Sequence, residues 1–220
     1  IKSIIWRKPT AFALKNKNAL AYMHTHLNES WTTDAMLNAI ISVAQVPKHP
    51  FNAEFIHSRL MNDPMPIRDT WWSTYLHEQH QEKEAVERLI NWSWHMNGNI
   101  NSTDESIELL GVTLCWMFTT SNRFIRDKAT KALSSLLTNH ANVSLRLLKR
   151  FENIDDPYIT ERLFASVFGS FVRSNNDDIE ISKTVKWLTN NLVNKNKVPV
   201  HLLTRDYILG IFELASKLDP

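Results

Sequence analysis

Glycine is scarce in this chain, with four residues (Gly98, Gly111, Gly169 and Gly210) among 220, and they are scattered rather than clustered. Phosphate-cradling loops need glycines close together so that the backbone can approach the ligand, and the sequence excludes a nucleotide site of that kind. Cysteine is scarcer still. Cys115 stands alone in ELLGVTLCWMF, which rules out an intramolecular disulfide and marks the thiol as part of a core, so a reducing, cytoplasmic compartment is expected. No apolar run approaches the roughly 20 residues that a membrane-spanning helix needs. Period-two alternation of apolar and polar residues is missing as well, so no sheet is expected. Neither sign of charge dominates, since 25 Lys and Arg against 23 Asp and Glu leave a net charge of +2. With 43% hydrophobic and 22% charged residues the composition is that of an ordinary globular protein. The chain starts at Ile1 without a charged-then-apolar leader, and we expect it to be an internal portion of a longer protein.

What is present is helical spacing of three and four. The stripe Ala19, Leu20, Met23 and Leu27 predicts a helix over Asn16 to Leu27, and Thr33 caps a second one with Met36, Leu37, Ile40, Ile41 and Ala44 inward. Pro47 and Pro50 end it, and Asn52 caps AEFIHSRLM. A helix from Ile67 toward His80 buries Trp71, Trp72, Tyr75 and Leu76, and the helix Glu84 to His95 turns Ala85, Leu89 and Trp92 inward. Ser102-Thr103-Asp104-Glu105 has the spacing of a capping box and opens the most apolar helix of the chain, through Leu109, Leu114 and Phe118. Two thirds or more of the residues should be helical, in one domain over 1–220 with a sub-boundary near 97–102.

Beyond residue 120 the pattern repeats. Ile125, Ala129, Ala132, Leu133 and Leu136 share their spacing with Ile159, Leu163, Ser166, Val167 and Ser170, 34 residues later, and with Leu203, Tyr207, Gly210, Ile211 and Leu214, a further 44 on. Helices Val143 to Phe151 and Ile179 to Val193 lie between the copies. Two helices per unit of this length predict an all-α architecture, an α-solenoid of stacked helical hairpins. FIRDKATKALSSLL resembles the second helix of a HEAT-type repeat, with Ile125-Arg126 in the Val-Arg place and Ala129 and Ala132 in the small-residue places. Thr160 replaces that arginine in the next copy, and Asn122 stands where the turn aspartate should be. These departures leave a continuous aspartate–arginine ladder unsupported.

A longer resemblance spans most of the chain. IIWRKPTAF, HPFNAEFIHSRLM, IRDTWWSTYLHEQH, AVERLINWSW, DPYITERLFA and LLTRDYILGIFELA are similar to a helical region of large bacterial STAND-type NTPases, including those of antiphage (AVAST-type) defence. The resemblance implies a sensor or scaffold portion that recognises protein or docks onto other domains of the same chain. It transfers no catalytic residue, because no NTPase motif is present in these 220 residues.

Residues able to carry chemistry are few. His77 and His80 are three apart rather than four, which breaks the zinc-protease helix pattern, and His24 and His26 diverge on a helix. No glycine-flanked serine or cysteine elbow exists. The carboxylate pairs Asp104-Glu105, Asp155-Asp156 and Asp177-Asp178 each precede a predicted helix, where they offset the positive end of its dipole. We therefore expect no enzyme, no cofactor and no metal. The strongest surface signal is basic: Arg123, Arg126, Lys128, Lys131, Arg146, Lys149 and Arg150 stand against the single acid Asp127. That asymmetry suits an acidic protein partner or, as the alternative, a nucleic-acid-binding HEAT-like repeat. Trp71 joins these residues as a candidate anchor, since adjacent Trp71 and Trp72 sit about 100° apart on a helix and cannot both point inward.

Overall fold

The computed structural model describes residues 33–79, 85–95, 102–174 and 178–218, with Ala21 and Thr25 besides. The predicted helix Asn16 to Leu27, the histidines His24, His26 and His80, and the sub-boundary near 97–102 lie wholly or mostly outside these residues. Among the described residues the chain is all-helical and contains no strand. No helix among them is long and apolar enough to cross a membrane.

Each helix starts where the side chains dictate. Helix α1 (Thr33–Val43) buries Met36, Leu37, Ile40 and Ile41, and α2 (Ala53–Asn62) is capped by Asn52, whose Oδ1 accepts from the Glu54 N–H at 3.0 Å. Next comes a composite rod in which α3 (Met65–Arg68) runs through a π turn (Asp69–Ser73) into α4 (Thr74–Glu78). Helix α5 (Ala85–His95) precedes α6 (Asp104–Trp116), where Thr103 Oγ1 accepts from the Ser106 N–H at 3.3 Å. Asn122 caps α7 (Arg123–Leu137) through the Phe124 N–H at 3.1 Å. Helix α8 (Ala141–Arg150) leads to α9 (Pro157–Arg173), which carries proline at its first position and Asp156 as cap. Helix α10 (Asp178–Leu188), a second π turn (Thr189–Val193) and α11 (Leu202–Leu218) complete the order.

The helices form two rows. In one, α1, α5, α7, α9 and α11 pack in succession; in the other, α2, α6, α8 and α10 do so. The rows meet where α6 lies on α7, α8 on α9, and α10 on α11. The equivalent positions of the sequence repeat therefore fall on helices of one row, each meeting the helix before it. Ala132 is fully buried on the α7 stripe that faces α5, Ser166 Oγ donates to the Thr130 carbonyl at 3.2 Å, and a Cβ on Gly210 would come within 2.6 Å of the Phe168 ring. A side chain at position 210 would have to displace the Phe168 ring. Ala132→Leu should overpack the α5–α7 crossing and cost about 1 to 3 kcal/mol; an unchanged melting temperature would show that the crossing has room.

Ion pairs run along the same row. Lys128 of α7 reaches back to Glu87 of α5 and Asp127 of α7 reaches forward to Arg162 of α9 at 2.9 Å, while Glu161 of α9 points forward to the imidazole of His201, just before α11, at 3.9 Å, a pair that is ionic only with the imidazole protonated. One rung is aspartate–arginine and the others use different residues, which the sequence pattern did not suggest.

Trp92 departs from the expected inward stripe, and Trp94 lies exposed beside it. Trp92 and Trp94 are 39% and 38% exposed, because the buried stripe of α5 is Val86, Leu89, Ile90 and Ser93, with Glu87 turned in to meet Lys128. A residue one step from Ser93 points about 100° away. Leu203 is likewise exposed rather than inward, since it sits in the first turn of α11, at the end of the row among the described residues. Trp72 and Trp116 are fully buried, and burial pushes the Cys115 thiol far above its usual range, so it is inert core.

Candidate functional site

A cavity of about 660 Å³ is a groove between the composite rod and the starts of α7 and α9. The rod contributes Met65, Asp69, Ser73, Thr74, His77 and Glu78; the linker after α6 contributes Thr119 and Ser121; the opposite wall is Arg126, Asp156, Pro157 and Tyr158. The rod is fixed against the linker by three polar links. Ser73 Oγ donates to the Thr119 carbonyl at 3.2 Å, His77 Nδ1 and Ser121 Oγ lie 3.1 Å apart, and Asn122 Nδ2 donates to the His77 carbonyl at 3.4 Å. At the far end Arg68 is buried and forms an ion pair with Asp155, while the Met65 N–H donates to the same carboxylate at 3.3 Å.

Arg126 organises the opposite wall. Its Nη1 donates to the Thr120 carbonyl at 2.8 Å, its guanidinium stacks 4.5 Å above the Tyr158 ring, and its Nε is buried without a hydrogen-bond partner. Asp156 has its pKa raised, because burial outweighs the Tyr158 and Ile159 N–H groups and the charge of Arg68. The groove thus joins exposed apolar surface on Met65 and Tyr158 to the exposed carboxylates of Asp69 and Glu78. That combination suits a protein segment with an apolar anchor and a basic side chain.

Among the described residues no carboxylate is hydrogen-bonded to the second nitrogen of the His77 imidazole that meets Ser121. Among the described residues no three His, Cys, Asp or Glu side chains assemble to hold a metal ion.

The basic residues singled out from sequence are divided between the two rows. On α7, Arg123 is largely exposed with Asp127 at 3.9 Å, Arg126 faces the groove, Lys128 pairs with Glu87, and Lys131 sits 5.5 Å from the Trp94 ring. On α8, Arg146 reaches Asp104 at 3.2 Å and Glu108 at 3.5 Å, Arg150 reaches Glu54 at 2.6 Å and Glu108 at 3.1 Å, and Lys149 is exposed. Such pairs add little stability individually, but they consume cationic charge that phosphates would need. Trp71 is half-buried, donates its N–H to Asp63 at 3.2 Å and packs edge-on against Trp72. Of the whole set only Arg126 lines the groove. Met65, Asp69, Glu78 and Tyr158 carried no distinguishing sequence signal, apart from the prolines at 64, 66 and 157 that mark where the lining segments begin.

No family model, no curated protein and no solved structure matches the chain.

Proposed function

We propose that the chain is a non-enzymatic helical-repeat scaffold, a HEAT-like α-solenoid of stacked hairpins, and that the groove between the composite rod and α7 and α9 docks a protein segment. In line with the resemblance of its sequence, it serves as a sensor or intramolecular docking region of a larger, cytoplasmic bacterial STAND-type NTPase of antiphage defence. Succession of two helix rows, with the sequence repeat falling on one of them, supports the solenoid reading. The observation that carries the docking role is the groove itself, where exposed Tyr158, held by Arg126, stands opposite the carboxylates of Asp69 and Glu78. Nucleic acid is the weaker alternative, because the α8 arginines and Lys128 are already paired with acids of the same chain.

The test uses bacteria carrying the parent reading frame and challenged with phage. Asp69→Lys and Tyr158→Ala, both at exposed positions, should abolish protection while the chain keeps its helical circular dichroism spectrum; full protection by both variants would overturn the docking role. Labelled single- and double-stranded DNA and RNA, titrated at about 150 mM salt, should bind no tighter than the micromolar range of a basic patch. A nanomolar isotherm abolished by replacing Arg123, Lys131, Arg146 and Arg150 would favour the nucleic-acid reading.

A further inference from the structure

The outward face of α11 carries a stripe with an unusual property. Leu202, Arg205, Asp206 and Leu209 are spaced i, i+3, i+4, i+7 and share one side of the helix. Leu202 is 68% and Leu209 57% exposed. With Val193 and Phe212 they line an apolar groove of about 380 Å³. Among the described residues neither Arg205 nor Asp206 has an ion-pair partner.

Earlier helices of the row follow a rule that α11 inverts. Asp127-Lys128 and Glu161-Arg162 each place an acid before a base; the base pairs with the preceding helix and the acid reaches forward. Arg205 and Asp206 occupy the equivalent positions with the signs exchanged. A further helix following the same rule would bring its base against Arg205, and like charges in contact oppose that stacking. The stripe is instead complementary to itself. Turned end for end about a two-fold axis between residues 205 and 206, it places Leu202 on Leu209 and Arg205 on Asp206, twice over. A parallel pairing would set Arg205 on Arg205.

We infer that α11 is a homotypic contact, at which two copies of this chain pair antiparallel about that axis. Isologous contacts require a patch of this self-complementary kind, and the leucines supply apolar surface around a charge pair that fixes register. This contact uses no residue of the groove at α7 and α9, so either can fail without the other.

Sedimentation equilibrium of the chain over about 1 to 200 µM, a range that brackets weak and moderate dimers, tests it. The wild-type chain should form a dimer, and Arg205→Asp or Asp206→Arg should each weaken it about tenfold or more. The doubly swapped chain, with both substitutions, should recover the dimer, as should an equal mixture of the two single variants, while circular dichroism stays the same throughout. A wild-type chain that is monomeric over this range overturns the proposal. So does a dimer that Arg205→Asp and Leu209→Glu leave unchanged, or one that the double swap does not recover.

Discussion

Trp116→Ala should lower the melting temperature by about 10 °C, from a cost of about 3 to 5 kcal/mol at 2 to 4 °C per kcal/mol for a chain of this size. Trp116 is fully buried where three segments meet, with its ring 5.5 Å from that of Phe151 and 5.8 Å from that of His57. Its Nε1 donates to His57 Nδ1 at 3.0 Å, and its carbonyl accepts from Trp72 Nε1 at 2.9 Å. Truncation therefore opens a cavity beside His57 and removes the indole hydrogen bond to its Nδ1. His57 also gives the effect a pH signature. Burial, with the charge of Arg150 adding and that of Glu54 opposing, lowers its pKa from 6.5 to about 4. The unfolded chain then binds more protons in that window, so stability is full above about 6.5 and falls as pH drops toward 4. In Trp116→Ala the imidazole meets water, its pKa returns toward the ordinary value, and that decline should flatten. Thermal melts across this range check both points; a shift of less than about 2 °C would show that the neighbours close the gap.

Local features were legible in the sequence because their causes are local. The caps at Asn52 and Asp156, the proline opening α9 and the inward stripe of α1 depend on neighbours within a turn or two, whereas the capping-box spacing of Ser102 and Glu105 missed by one residue, since Thr103 caps α6 through the Ser106 N–H. The repeat spacing falls on α7, α9 and α11, which pack in succession, although Leu203 departs from the shared inward stripe. Long-range pairing was not legible. The run from Arg123 to Arg150 reads as an open basic surface, yet Lys128 meets Glu87, 41 residues away, and Arg150 meets Glu54, 96 residues away. The π turn at Asp69–Ser73 was invisible as well. Trp72 of this turn is in the core and Asp69 lines the groove, and nothing in DTWWS distinguishes a π turn from an ordinary helix.

Arg68 illustrates the same limit with the largest electrostatic consequence. In sequence it is an ordinary helix cation, but its side chain is only 2% exposed. Its Nη1 donates to the carbonyls of Leu60 at 3.3 Å and Asp63 at 2.9 Å, Nη2 pairs with Asp155, and the guanidinium lies 5.5 Å from the Trp116 ring. Arg68→Ala strands those carbonyls and removes the nearest cation from buried Asp156, which should cost about 3 kcal/mol, the lower end for breaking a buried pair, because Asp155 itself is half-exposed. Arg68→Lys should fall between, since one ammonium cannot span both carbonyls and the carboxylate. The two aspartates respond to acid in opposite directions. The hydrogen bond from Arg68 holds Asp155 below the usual carboxylate range, so its contribution is present above the unfolded pKa and is lost as pH falls through the lower folded value. Burial raises Asp156, so its folded pKa lies above the unfolded one and its ionisation costs stability as pH rises. Arg68 offsets that cost, which again matters most where Asp156 is ionised. Both effects make the gap between wild type and Arg68→Ala widest near neutral pH; as pH falls it should narrow first through the raised Asp156 value and then, as Asp155 protonates, below about 3.9, the ordinary aspartate value. Urea denaturation at a series of pH values measures the gap, with Asp155→Asn as the companion variant that keeps the carbonyl bonds. A gap that stays constant with pH would mean that Arg68 stabilises the fold through Leu60 and Asp63 alone.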